Sequence, residues 1–145
     1  MTAHQELLHE DVTQKIIGGF FTVYNELGPG FLESVYKKAL TIVLREMGLR
    51  VECERRIVVY FRRHIVGVFS ADHLVDGCVL VESKAARVID AAHRAQLLHY
   101  LKATPIEVGL ILNFGPRADF ERLVAENSSK RALHPPPGSN QEDTA

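Results

Sequence analysis

The sequence predicts a single α/β domain in which a mixed central sheet is flanked by helices. Two segments with helical spacing of apolar residues precede a run of alternating β-branched segments, and a capped helical segment separates that run from later strands. The predicted order of elements is therefore αα-βββ-α-β(β). With 145 residues and 46% hydrophobic content, the chain can bury the core of one domain and little more.

Two helices begin this order. Asp11 or Thr13 can cap the first, which is predicted to run to about Glu26 and to stop at the Gly-Pro-Gly sequence of residues 28–30. The second is predicted over about 32–47. In both segments apolar residues recur three and four positions apart, so each helix has one face to bury.

Three strands are predicted next, at about 54–62, 65–75 and 78–84. Their connections are short, with Arg63-His64 in the first and Asp76-Gly77 in the second. Short connections favour antiparallel neighbours, and the three strands should form a meander.

One helix and one or two strands follow the meander. Asp90 is predicted to cap a helix over about 91–103, which ends before Pro105. A fourth strand is predicted over about 107–113, and residues 118–124 are a candidate fifth strand at the sheet edge. A right-handed crossover would place the helix on the sheet and make the fourth strand parallel to the third.

The domain is predicted to span residues 1–126. Residues 127–145 form a polar, proline-rich tail with too little apolar surface to offset the entropy of ordering, and we expect it to be disordered. No apolar run approaches the length of a membrane span, and the N-terminus lacks the features of a signal peptide. We therefore expect a cytoplasmic protein with no membrane partner.

The overall charge excludes a global positive field that would attract nucleic acid. There are 17 basic and 18 acidic side chains, with a net charge of −1. Nucleic-acid binding would have to be local. Three candidate clusters occur: Arg55-Arg56, Arg62-Arg63-His64, and the series Lys84, Arg87, His93, Arg94 and Lys102. Charged hairpin ends are common, so solvated tips are the simpler interpretation of the second cluster.

The hairpin over residues 70–84 carries Asp72, Glu82 and Lys84 within apolar strands. Burying such charges is costly unless a partner compensates them, and a divalent metal with an anionic substrate would do so. Glu82 and Lys84 are two residues apart on a strand and so project from the same face. Spacing alone equally allows a half-buried hairpin whose Glu82 and Lys84 lie in water.

The turn decides whether Asp72 joins them. A two-residue loop at 76–77 would place Asp72 and Glu82 on opposite faces of the sheet. A three-residue loop over 75–77, with its glycine in the left-handed conformation, would bring both carboxylates and Lys84 to one face. We predict this register or an equivalent bulge. The resulting pair at the loop is Leu74 with Cys78.

The element order, with Asp72 in the second strand and Glu82-x-Lys84 in the third, resembles the PD-(D/E)XK nuclease superfamily. Residues 30–36, Gly-Phe-Leu-Glu-Ser-Val-Tyr, resemble the GxxExxY signature of one small-protein branch of it. Gln96-Leu97-Leu98-His99-Tyr100 resembles the QxxxY motif of some branches. The resemblance covers about residues 10–126 and implies a restriction-endonuclease-like core.

This resemblance implies roles for five residues. Asp72 and Glu82 would bind Mg²⁺ (or Mn²⁺), and Lys84 would stabilise negative charge at the attacked phosphate or position the water. Glu33 would be a metal-site or water-orienting carboxylate, although an acid in the first turn of a helix is also stabilised by the helix dipole alone. Gln96 would approach the site from the third helix.

The candidate substrate-binding residues are two tyrosines and three cationic or titratable side chains. Tyr36 shares a helix face with Glu33, but it is equally well explained as a core aromatic with a satisfied hydroxyl. The helix after the motif carries a polar stripe that includes His93 and Tyr100, although a lone helical histidine is more often a surface residue. The remaining candidates, as phosphate contacts, are Arg87 and Arg94.

The resemblance implies metal-dependent hydrolysis of a phosphodiester, with DNA favoured over RNA as the partner. Two alternatives stay open: a non-catalytic module that binds nucleic acid or protein, and a hydrolase of a small phosphorylated molecule, which the near-neutral net charge would suit. A homodimer would be a natural way to cut both strands of a duplex.

Overall fold

Five strands form one mixed sheet in the computed structural model, which describes residues 2–131. The strands are β1 (Val51–Phe61), β2 (His64–Val75), β3 (Val79–Lys84), β4 (Val108–Phe114) and β5 (Ala118–Val124). Their order in the sheet is β1-β2-β3-β4-β5, and β3 and β4 are parallel while the other neighbours are antiparallel. The predicted α/β fold class is confirmed, and residues 118–124 do form a fifth strand.

Helices cover both faces of this sheet. They are α1 (Ala3–Leu7), α2 (Glu10–Leu27), α3 (Glu33–Glu46) and α4 (Ala91–Lys102). Because side chains alternate along β3, Val79 and Val81 pack with α2 and α3, whereas Leu80 packs with α4. The core therefore consists of two layers, and the site of interest lies on a strand buried between them.

The first long helix differs from its predicted start. α2 begins at Glu10 after His9, which has a left-handed φ of 54° and provides no side-chain cap. The predicted caps, Asp11 and Thr13, both lie inside the first turn, where the Thr13 hydroxyl donates to the Glu10 carbonyl at 3.0 Å. The short helix α1 was not predicted.

The helix between the parallel strands begins as predicted. The Asp90 carboxylate accepts a hydrogen bond from the His93 amide at 2.9 Å, which caps α4. The chain then crosses the sheet and returns as β4 alongside β3. This arrangement places α4 over the face that carries Leu80.

The first residues of the predicted tail pack against the rest of the domain. Asn127–Ser129 form a 3-10 turn, and the Asn127 side chain donates to the Pro105 carbonyl at 2.9 Å. Lys130 Nζ donates to the carbonyls of Thr104 and Ile106 at 2.9 and 2.7 Å. Residues 127–130 therefore pack on the segment before β4, and residues 132–145 of the predicted tail lie outside the described residues.

Two remaining features concern the cysteines and the helix lengths. Cys53 and Cys78 are both free thiols. Within residues 2–131, no helix has the length and apolar content needed to cross a bilayer.

Candidate functional site

The site is built where the β2–β3 hairpin splits. The two strands pair only at three positions next to the loop, His73 with Val81, Leu74 with Leu80 and Val75 with Val79. Continued by one residue, this register sets Asp72 opposite Glu82 on one face of the sheet. The predicted convergence of the two carboxylates is confirmed.

The register itself differs from the predicted one by one position in the loop. The loop comprises residues 76–78 instead of 75–77, so Val75 pairs with Val79 and the predicted Leu74–Cys78 pair does not form. Asp76 is held out of the ladder because its amide donates to the Arg50 carbonyl and its carboxylate accepts from the Arg50 amide, both at 2.8 Å. Asp76 and Gly77 both have left-handed φ angles, 51° and 67°.

The two carboxylates replace the ladder hydrogen bonds beyond His73. The Asp72 amide donates to Glu82 Oε1, and the Ser83 amide donates to Asp72 Oδ2, each at 2.9 Å. Both acids are buried, with 7% of Asp72 and 4% of Glu82 exposed. The split is therefore a built feature in which each acid satisfies a backbone group of the opposite strand.

Lys37 of α3 completes this arrangement. Its Nζ lies 2.9 Å from Asp72 Oδ1. Burial lowers the pKa of Lys37, but the hydrogen bond and charge of Asp72 outweigh burial and raise its pKa overall. Lys37 is therefore a fixed positive charge at the two acids. The sequence analysis missed it because nothing in the pattern of α3 shows which strand residue it meets.

Glu82 is the most strongly perturbed acid of the site. Burial, and then the negative charge of Asp72, raise its pKa to about 8, although the Asp72 amide and the charges of Lys84 and Lys37 oppose this. In the absence of a further cation, Glu82 is therefore largely protonated at neutral pH. A second positive charge between the acids would replace that proton.

The donor set fits a hard divalent cation. Carboxylate oxygens are the ligands that Mg²⁺ and Mn²⁺ prefer, and Mg²⁺ commonly takes one or two carboxylates and completes its shell with water and phosphate oxygens. Asp72 and Glu82 provide two such groups. Among the side chains that the structure describes, no group of three His, Cys, Asp or Glu able to hold a metal occurs.

Lys84 lies at the open end of β3 and is tied to α4. Its Nζ donates to Gln96 Oε1 at 3.0 Å. Tyr100, one turn further along α4, is buried, and its pKa is raised by burial and then by the charge of Glu82, while a Gln96 hydrogen bond opposes the shift. Lys84, Gln96 and Tyr100 are thus linked through Gln96, and Tyr100 is close enough to Glu82 for its charge to act on the phenol.

Glu33 belongs to the helix that carries Lys37. It is the first residue of α3, and its charge favours the protonated form of Lys37, four residues further along the same helix face. Lys37 in turn pairs with Asp72, so Glu33 and Asp72 both act on the charge of this lysine.

Tyr36 is a core residue, which was the alternative explanation of its position. Its side chain is fully buried and stacks on Phe114 with ring centroids 4.6 Å apart. Its hydroxyl donates to the Gly28 carbonyl at 2.6 Å and accepts from the Phe31 amide at 3.1 Å. The prediction that Tyr36 contacts substrate is therefore wrong; it holds the turn between α2 and α3.

Two other substrate-binding candidates have structural partners. His93 Nδ1 accepts from the Asp90 amide at 3.2 Å and so takes part in capping α4. Arg94 Nε donates to both carboxylate oxygens of Glu121 on β5, at 2.8 and 2.9 Å. These contacts show why polar residues occupy the two positions without a substrate. Arg87 lies exposed after β3, and its role stays a prediction.

Asn113 and Gly115 fix the backbone just after Lys84 through their contacts with Ala86. Asn113 lies next to Lys84 in the parallel register, and its side-chain amide forms two hydrogen bonds with the backbone of Ala86, both at 2.9 Å. A Cβ at Gly115 would lie 2.0 Å from the Ala86 carbonyl oxygen, so only glycine allows this approach. Asn113 is a polar residue in the otherwise apolar strand β4, and this is the sequence signal for its role.

Comparison with known proteins agrees with this architecture. A family model described as the PD-(D/E)XK nuclease superfamily matches residues 10–123. No curated protein matches the chain. The crystal structure of SSO0001 is similar, with a TM-score of 0.51, 18% sequence identity and coverage of 85% of this chain.

The chain spans 62% of the length of the SSO0001 chain, and at this identity the likeness shows the fold alone. The family match extends from α2 to β5 and includes the split hairpin with Asp72, Glu82 and Lys84. The chain belongs to the PD-(D/E)XK nuclease superfamily.

Proposed function

We propose that this protein is a metal-dependent phosphodiester hydrolase that acts on DNA in preference to RNA. The observation that carries the proposal is the buried pair Asp72 and Glu82, set opposite each other where β2 and β3 separate. Two buried acids with a lysine two residues further along the strand are more typical of a functional site than of a structural ion pair. Membership of a nuclease superfamily supports the same reading.

Asp72 and Glu82 would hold Mg²⁺ or Mn²⁺ in this proposal. The bound ion would supply an activated water and stabilise charge on the phosphate oxygens. Lys84 would place its ammonium group against the negative charge that develops on the attacked phosphate. Gln96 holds that ammonium group by its 3.0 Å hydrogen bond, and Tyr100, one turn further along α4, is buried.

The proposal requires a rearrangement at Asp72. Its Oδ1 is engaged by Lys37 and its Oδ2 by the Ser83 amide, so Lys37 has to release Oδ1 for full access by a cation. Glu33, one helical turn earlier, is the acid that can receive the displaced ammonium group. Glu33 would then contribute either as a direct metal-site carboxylate, as the motif implies, or as this exchange partner.

We also propose the GxxExxY branch as the place of this chain within its superfamily, on the strength of residues 30–36. Arg87, exposed after Lys84, would contact a phosphate of the substrate. A homodimer would suit cleavage of both strands of a duplex, and sedimentation with and without DNA would measure it.

The test is hydrolysis by the purified chain of labelled single- and double-stranded DNA and RNA, with Mg²⁺, Mn²⁺ or EDTA. The proposal expects cleavage that needs the metal and that is lost in Glu82→Gln, which keeps the volume of the side chain and removes its charge. Glu26→Gln, an exposed acid on α2, is the matched control and should cleave normally. Equal activity of Glu82→Gln at equal folded concentration would contradict the proposal.

A further inference from the structure

The outer part of the β1–β2 hairpin is strongly cationic. Residues 55–71, here called the cationic ribbon, contain four arginines and one histidine and no aspartate or glutamate. In a chain of net charge −1, this is a local concentration of positive charge. Its basic residues are Arg55, Arg56, Arg62, Arg63 and His64, of which Arg55 is paired with Glu52 at 3.2 Å.

The ribbon extends beyond the rest of the sheet. β3 pairs with β2 only from His73 to Val75, whereas β1 and β2 stay paired out to Phe61 and His64 at the tip. Arg62 and Arg63 form the turn, with φ angles of 47° and 68°. The two arginines are therefore held by a paired hairpin instead of a loose loop.

Apolar side chains accompany these charges on the exposed surface. Phe61 and Val66 are each 60% exposed, and Val68 is also exposed. The Arg62 guanidinium lies 5.2 Å from the centre of the Phe61 ring. An exposed aromatic ring beside guanidinium groups matches the two surfaces of a single-stranded nucleic acid, its base faces and its phosphates.

The ribbon leads directly to the proposed site. β2 runs from the Arg63 turn to Asp72, a distance of roughly 30 Å at about 3.3 Å per residue. The charge reverses at its inner end, where Glu52, Glu54 and Asp72 lie. A polynucleotide bound at the outer end could approach the acidic end only if a cation offsets the repulsion between its phosphates and the carboxylates there.

We propose that the cationic ribbon binds single-stranded DNA, with Arg62 and Arg63 on phosphates and Phe61 stacked on a base, and guides the strand to the split hairpin. The choice of DNA rests on the proposed function, whereas binding by the ribbon needs no metal and no turnover. The ribbon differs in this from an ordinary charged hairpin tip, which only keeps a sheet edge from pairing with other chains.

The experiment measures binding of the full chain to a labelled 20-nucleotide DNA strand in EDTA, at a series of salt concentrations. Arg62→Ala with Arg63→Ala should weaken binding about tenfold or more and lower the slope of log affinity against log salt by about 1.4, since each single-strand phosphate contact contributes about 0.7. Phe61→Ala should weaken binding about tenfold at an unchanged slope. Arg62→Lys with Arg63→Lys should restore most of the slope.

The matched control is Lys15→Ala with Lys38→Ala, which removes the same charge from exposed positions on α2 and α3. Affinities of the arginine and control variants within twofold of each other would overturn the proposal, as would no binding of DNA by the native chain. Ribbon-dependent binding without cleavage in Mg²⁺ would support the ribbon and contradict only the proposed function. An unchanged cleavage rate in the variant with Arg62→Ala and Arg63→Ala would contradict only the proposed role of the ribbon.

Discussion

The ammonium group of Lys37 lies 2.9 Å from Oδ1 of Asp72 and so joins α3 to the split between β2 and β3. Asp72 in turn accepts the Ser83 amide, and Glu82 accepts the Asp72 amide. Lys37 thus supplies positive charge at the place where the proposed function needs a metal ion. Competition between a lysine and a divalent cation for one carboxylate leads to measurable consequences.

Lys37→Met should tighten Mn²⁺ binding and weaken the metal-free fold. Removing a unit charge a few ångströms from the ion relieves a repulsion of a few kcal/mol at an effective dielectric of about 20, so affinity should rise at least about tenfold. Without metal, Asp72 loses its partner and the free energy of unfolding should fall by about 1–3 kcal/mol.

Isothermal titration and urea unfolding measure the two effects of Lys37→Met. Lys38→Met, on the exposed side of the same helix, is the control and should change neither. Unchanged or weaker Mn²⁺ binding by Lys37→Met would show that the lysine does not compete for Asp72.

The metal-free protein should lose stability as the pH rises from about 4.5 to 8. Glu82 has a pKa of about 8 in the folded chain against 4.5 as its ordinary value, so in this window the folded state holds a proton that the unfolded state has released. The stabilisation is fully present below pH 4.5 and is lost as the pH rises through about 8. At about 1.36 kcal/mol per unit, it amounts to at most ~5 kcal/mol.

Glu82→Gln isolates this contribution because its amide does not titrate. Unfolding by urea in EDTA between pH 5 and 9 should show the native chain falling in stability relative to the variant as pH rises. Parallel profiles for the two proteins would mean that Glu82 is not held protonated in the fold.

Gln96→Ala should slow cleavage without weakening the metal. Gln96 contacts Lys84 and no carboxylate of the pair in the described hydrogen bonds, so its loss frees the ammonium group from its 3.0 Å partner. We expect kcat to fall about 10- to 100-fold, as a small misplacement of a catalytic group does, with Mn²⁺ affinity within about twofold. Gln14→Ala on α2 is the control, and native kcat in Gln96→Ala would remove the positioning role.

Glu33→Gln should lower both Mn²⁺ affinity and cleavage rate while the melting temperature barely moves. A double-mutant cycle with Lys37→Met then separates its two proposed roles. If Glu33 only receives the displaced Lys37, its effect on affinity disappears in the Lys37→Met background. If Glu33 binds the ion or orients its water, the effect persists there. No effect of Glu33→Gln in the native background would leave it a helix-dipole acid.

Much of the fold follows from local patterns that the tertiary structure left unchanged. The two-residue period of a strand makes Glu82 and Lys84 share a face in any register, and Asp90 caps its helix with its own neighbours. The family motif adds Asp72 and Gln96; in the structure the Asp72 amide donates to Glu82, and Lys84 donates to Gln96.

Other outcomes depended on partners distant in sequence. The loop at 76–78 was displaced from its predicted place because Asp76 bonds to Arg50, which precedes β1. Arg94, a predicted phosphate contact, donates to the carboxylate of Glu121 on β5, 27 residues further along the chain, and a helical pattern does not show such a partner. Tyr36 was open between two roles, and the stacking on Phe114 decided it.

The sequence by itself determined the α/β class, the order of the strands and the acidic motif, because hydrophobic period, turn residues and caps act over a few neighbouring positions. Only the tertiary structure decided that Lys37 faces Asp72, that Glu82 is buried deeply enough to hold a proton, and that the β1–β2 hairpin extends past β3. Charge partners and burial depend on which elements pack together, and that packing is a property of the whole chain.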